Sequence, residues 1–276
     1  MFTTSRRRSL AVLLALVVIS ATSTATFASH SWNNYHWART SNPFTLKVGD
    51  NVTLIWDGHL DTAISDWNTS SVMNLAEVPG TSNKRCAMVA GTIQVCNSTY
   101  GFNGWLGLAS INISGSHITQ GSAKMNDSYF NSATYNNPNE KLHVMCQEVG
   151  HTFGLGHTSE DGSSQNTCMD YFSNTGANAT STLSTHPNQH DYDMLASIYA
   201  HLDSTTTIAA SSAIAAGKSE VTDDSNSWGS LMSQSRNGRS STYERANSDG
   251  THTITHVFWT EEAAARGAMY DHRYDH

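Results

Sequence analysis

The run Gln147-Glu148-Val149-Gly150-His151-Thr152-Phe153-Gly154-Leu155-Gly156-His157 constrains the fold more than any other part of the chain. On a helix over residues 141–153, positions 147 and 151 lie one turn apart on the same face. Two ligand side chains at that spacing can grip one metal ion. Glu148 follows the first position and points a carboxylate at a water on that ion. Gly154 is where the helix can end, because glycine enters the left-handed region without steric cost. The chain can then turn and return His157 to the same point.

The elements around this segment read as follows. Phe44 to Val48 alternates apolar and polar residues, as a half-buried strand does, and Gly49-Asp50 is a turn. Trp56, Leu60, Ile64 and Trp67 recur at helical spacing, which predicts a helix over residues 57–68. CAMVAGTIQVC, from Cys86 to Cys96, reads as strand, Gly turn, strand. Trp105 to Ile113 and Ser122 to Phe130 read as strands, and Lys141 to Gly154 and Asp191 to His201 as helices. The fold class is therefore α+β, with the sheet laid down before the motif-bearing helix. From Asp203 the composition changes. Residues 204–240 read as a Ser/Thr/Ala-rich linker. Residues 241–276 read as a small hairpin-like tail, with strands at Ser241–Arg245 and Thr251–Trp259. Two strands alone are marginally stable, so the hairpin either packs on the main domain or folds weakly.

The first 28 of the 276 residues carry an address. Arg6, Arg7 and Arg8 precede the apolar run Leu10 to Ile19, and Thr26-Phe27-Ala28 supplies a small-residue cleavage site. This is a secretory signal peptide with cleavage after Ala28, and the run is too short to span a bilayer comfortably. Secretion makes disulfides the expected state of the four cysteines, for which three pairings exist. A local Cys86–Cys96 bridge is the first choice, leaving Cys146 to pair with Cys168. The net charge of -8 disfavours nucleic-acid partners. A monomer with no stable membrane insertion after cleavage is the expectation.

The motif resembles the metzincin zinc-peptidase pattern H-E-x-x-H-x-x-G-x-x-H at every specified position except the first. Cys168-Met169-Asp170-Tyr171 is similar to the Met-turn of that family, in its matrixin-like and astacin-like branches. The resemblance covers residues 30–203. It implies a twisted mixed sheet, a motif helix, a Met-turn and a C-terminal helix. It implies Zn2+ held by His151, His157 and the residue at 147, with Met169 and Gly154 in structural roles. It also implies hydrolysis of a peptide or protein substrate, with Glu148 as general base and the Tyr171 hydroxyl beside the oxyanion. Ala109 to Ile113, or Gly121 to Lys124, would then offer an edge strand for substrate.

Position 147 departs from the pattern, because Gln is a poorer zinc ligand than imidazole. Three outcomes stand open: Gln147 coordinates through its amide oxygen, another residue replaces it, or the site is degenerate and the protein binds peptides without cutting them. His143 shares the helical stripe but lies two turns from His151, and Cys146 points off that face. The remaining histidines, His186, His190, His201, His272 and His276, are expected at the surface.

Overall fold

The computed structural model describes residues 30–81, 85–159, 161–208 and 221–267. The apolar run and cleavage site near Ala28, and the terminal His272 and His276, lie outside those residues. The strands, in chain order, are β1 (His36–Trp37), β2 (Phe44–Asn51), β3 (Met73–Pro79), β4 (Thr92–Ser98), β5 (Trp105–Ser114), β6 (His117–Asn126), β7 (Ser230–Gln234), β8 (Ser240–Ala246) and β9 (His252–Trp259). They form one mixed sheet in the order β3-β2-β4-β6-β5-β9-β8-β7, with β1 pairing beside β6. The β2, β3, β4 and β6 pairings are parallel, and every pairing from β6 through β5, β9 and β8 to β7 is antiparallel.

Helix α1 (Leu54–Trp67) buries Trp56, Leu60, Ala63, Ile64 and Trp67, which is one stripe at helical period. Residues Asp127–Phe130 form the short α2. Helix α3 (Pro138–His151) starts cleanly. Asn137 caps it by accepting from the Glu140 N–H at 2.8 Å, and Pro138 stands at its first turn. Helix α4 (Gln189–Ile198) opens on a capping box between Asn188 and Asp191. Helix α5 (Glu261–Arg266) follows β9.

The main core gathers Trp37, Leu46, Trp67, Val144, Phe153, Met169 and their neighbours between the sheet and helices α1, α3 and α4. A second core covers the other face of the sheet and is built by Met88, Trp105, Leu108, Val221, Trp228, Tyr243, Val257, Trp259 and Ala263. Strand β5 is consequently buried on both faces, from Trp105 to Ile113.

The α+β class and the main helices agree with the sequence reading, but four expectations need correction. The Cys86–Cys96 segment holds one strand, β4, rather than a hairpin. Residues 127–130 leave the sheet as α2, because Asn126 caps a turn there through the Ser128 N–H. Strand β3 carries no clean alternation and was not foreseen. The tail is no appendage: β9 pairs with β5 along its length, so the hairpin extends the main sheet, and β7 falls within the range read as linker. Both expected disulfides are present, Cys86–Cys96 and Cys146–Cys168. No helix of the described residues is long and apolar enough to cross a membrane.

The Cys146–Cys168 bridge joins α3 to the loop before Tyr171 across a sequence separation of 22 residues. Chain entropy assigns such a closure about 3 kcal/mol. The Cys146→Ala/Cys168→Ala double variant is therefore expected to lose stability of that order in denaturant unfolding, with its transition shifted well below that of the unaltered protein.

Candidate metal centre

Three imidazoles from distant parts of the chain meet beneath α3. His151 is the last residue of that helix. His157 returns after a turn at Gly154, whose φ of 100° lies in the left-handed region. A Cβ at Gly154 would stand 2.0 Å from the Tyr35 carbonyl oxygen, so only glycine fits. The third imidazole is His256, from the middle of β9. The chain alternates along that strand, so Ile254, His256 and Phe258 face α3; both apolar neighbours lie in the main core. His151, His157 and His256 each offer a ring nitrogen, and these atoms lie within 4.8 Å of one another.

Two of the rings have an outer hydrogen-bond partner that orients them, and the third lies beside a carboxyl. His151 Nδ1 lies 2.7 Å from the Leu155 carbonyl oxygen. His157 Nδ1 lies 2.5 Å from the Tyr171 hydroxyl, which also contacts the Ser240 hydroxyl. His256 Nδ1 lies 3.5 Å from Glu148 Oε2. The Nε2 atoms of His151 and His157 face each other at 3.0 Å. Outer-shell contacts of this kind fix the tautomer of a metal-ligating histidine.

Burial holds all three imidazoles neutral. It lowers His151 to about 3 and His256 to about 3, and drives His157 well below the usual range, with the neighbouring histidines adding to the effect in His151 and His157. Neutral imidazole is the form that binds metal. Both His256 nitrogens and both Glu148 oxygens have no hydrogen-bond partner among the described residues. A buried set of unsatisfied donors and acceptors with three convergent nitrogens fits a divalent transition metal. A cavity of about 200 Å3 opens onto it, walled by Trp32, His151, His157, Tyr171 and His256, with Ser233 and Thr242 at the β7–β8 side.

The other residues singled out in the sequence fall into place around this centre. Gln147 keeps its amide oxygen buried and without a hydrogen-bond partner among the described residues, while the amide nitrogen is turned to the loop. Its amide nitrogen donates to the carbonyls of Cys168 at 2.9 Å and Asp170 at 2.7 Å, so its head group holds the loop. His143 does the same work, with Nε2 3.2 Å from the Asp170 carbonyl oxygen. Met169 is fully buried and its sulfur lies so near Gly150 that a Cβ there would stand 2.7 Å away. Glu148 is fully buried and outside the cavity wall, and burial pushes its carboxyl up to about 8. The expected substrate edge is not an edge. Ala109 to Ile113 pairs with β9 on one side and β6 on the other, while β6 pairs with β4 and β5.

His256 went unseen in the sequence because it lies far from the motif. The signal that could have found it is the inward face of the strand 252–259, where a histidine stands between two apolar residues. Of the surface expectations, His186 is exposed and paired with Asp66 at 2.6 Å. His190 is half-buried, stacked on His30 with ring centroids 4.7 Å apart.

No family model matches the chain, and no curated protein does.

Proposed function

We propose that this chain is an exported zinc-dependent endopeptidase of the metzincin type, in which His256 takes the ligand place that Gln147 leaves open. The observation that carries this reading is the meeting of His151, His157 and His256, with the far nitrogens of His151 and His157 held by the Leu155 carbonyl and the Tyr171 hydroxyl. The Cys168–Tyr171 loop, read as a Met-turn, supports it, as do the two disulfides, which suit an oxidising compartment.

Zinc bound there supplies Lewis acidity toward a scissile carbonyl and an attacking water. Tyr171 holds His157 by its Nδ1 and presents a phenol at the cavity wall, where an oxyanion would form. On this reading Glu148 would be the general base, which requires a cation at the histidines to draw its raised carboxyl back to the ionised form and its side chain to turn toward the cavity it lies behind. Because β9 occupies the side of β5, an extended substrate enters along the cavity mouth at β7 and β8 and does not add to β5.

A second reading is a metal-binding protein of the same fold that holds peptides without cutting them. The burial of Glu148 against His256 favours it, since that carboxylate then serves only to orient the ring. Glu148→Gln separates the two readings, because the amide keeps an oxygen for His256 but takes no proton. For an enzyme, zinc stays near its original content while cleavage of a denatured-protein substrate falls by about 10²- to 10⁴-fold. No cleavage by the unaltered, zinc-loaded protein would sink the peptidase reading.

A further inference from the structure

A second convergence of imidazoles stands apart from the cavity, and none of its members lines that cavity. His36 belongs to β1 and His117 opens β6, while His201 and Asp203 lie just beyond α4. His36 Nε2 is 3.1 Å from His201 Nε2 and 3.6 Å from Asp203 Oδ1. His201 Nε2 is 3.7 Å from the same oxygen, and His117 Nε2 is 3.2 Å from it. Tetrahedral zinc with ligand bonds of about 2.0–2.1 Å sets neighbouring ligand atoms about 3.3–3.4 Å apart. The three separations among His36, His201 and Asp203 bracket that value.

The outer contacts are also those of a ligand set. His36 Nδ1 lies 2.7 Å from the Asn34 carbonyl oxygen, which puts the ring proton there and the lone pair on Nε2. Asp203 Oδ2 accepts from Arg39 Nη1 at 2.9 Å and from the Arg39 backbone N–H at 3.2 Å, leaving Oδ1 turned to the histidines. Arg39 Nη2 also donates to the Tyr199 carbonyl at 2.8 Å and to that of His201, so one buried guanidinium sets the course of the whole 199–203 segment. His117 and His201 are partly exposed, giving an ion a way in.

We propose that His36, His201 and Asp203 form a second zinc site that pins β1 to the chain leaving α4. Imidazole and carboxylate together select zinc or another late first-row divalent ion over calcium or magnesium. The three ligands come from β1 and from the segment after α4, with His117 holding Asp203 Oδ1 from the start of β6, so an ion there ties those parts of the chain together. It joins residues near the two ends of the 30–203 region, a role independent of any chemistry at His151, His157 and His256.

The test uses the full exported chain with zinc alone as the probe, after dialysis, with metal counted by elemental analysis. The unaltered protein is expected to hold two zinc ions. His201→Ala, a change at a partly exposed side chain, is expected to hold one. His256→Ala is expected to hold one as well, and to retain it in the His36 cluster. In His256→Ala a chelator should then lower the melting temperature, and in the His201→Ala/His256→Ala double variant it should not. Substituting cobalt in His256→Ala should give the intense visible absorption of tetrahedral coordination. An unchanged zinc count in His201→Ala overturns the proposal, as does a protein that holds no zinc. If the unaltered protein holds a single ion, the variant that loses it decides. Loss in His201→Ala keeps this site and removes the metal from the cavity; loss in His256→Ala does the reverse.

Discussion

His256→Ala is expected to strip the cavity of its metal, while Gln147→Ala is expected to leave the metal in place. Removing His256 takes away one of three convergent nitrogens and leaves two imidazoles, with the remaining cluster unable to enclose an ion. Removing the Gln147 side chain costs two hydrogen bonds to the Cys168 and Asp170 carbonyls. That should appear as lost stability of about 1–3 kcal/mol rather than lost zinc. The two variants should therefore separate in opposite directions, His256→Ala in metal content and peptide cleavage, Gln147→Ala in the unfolding transition. Adding Gln147→His to His256→Ala places an imidazole one helical turn before His151 and should return part of the metal. If Gln147→Ala lost zinc and His256→Ala kept it, the ligand would be the amide, and the site as described would be wrong.

The metal-free protein is expected to be sharply acid-labile between pH 6.5 and about pH 4. His30, His151 and His256 are held by burial at about 4, about 3 and about 3, and His157 lies well below the usual range. In the unfolded chain each titrates near 6.5. As pH falls below that value the unfolded state takes up protons that the folded state refuses, so stability present above pH 6.5 is lost until the folded pKa is reached. Each such histidine contributes a slope of about 1.4 kcal/mol per pH unit. Glu148 and Asp191 act in the opposite sense, since burial raises them to about 8 and about 6. Their contribution is gained as pH falls through those values, with Glu148 already protonated at pH 6. Four histidines against two carboxylates leave a net uptake of about two protons on unfolding near pH 5.5, or roughly 2.7 kcal/mol per pH unit from this cluster. Denaturant unfolding at a series of pH values, after chelation, measures that slope. A flat profile from pH 6.5 to pH 5 would show that the imidazoles are not buried as described.

Much of the fold was legible because its signals are local. The stripe of Trp56, Leu60, Ile64 and Trp67 specifies α1, and Asn137-Pro138 and Asn188 mark the starts of α3 and α4. The turn at Gly154 follows from the one residue type that tolerates it. What could not be read was pairing between distant strands. The alternation of residues 252–259 shows that a strand forms there, but not which neighbour it takes. That neighbour is β5, and this single pairing turns an expected appendage into part of the sheet, closes the expected substrate edge, and brings His256 to the motif. The departure at Gln147 was visible in the sequence, and His256, the imidazole proposed to compensate for it, lies in a strand whose partner the sequence does not name. The cluster of His36, His117, His201 and Asp203 was hidden for the same reason, since its members come from three separated segments.

The position of β9 in the chain also sets an order of events. Synthesis runs from the N-terminus, so the helix carrying His151 and the turn carrying His157 are made well before His256. Until β9 has docked beside β5, the three nitrogens cannot meet, whatever the local zinc concentration. A nascent chain that ends before β9 therefore lacks one of the three imidazoles. Metal binding that depends on all three begins only after residue 256 has been made and β9 has paired with β5.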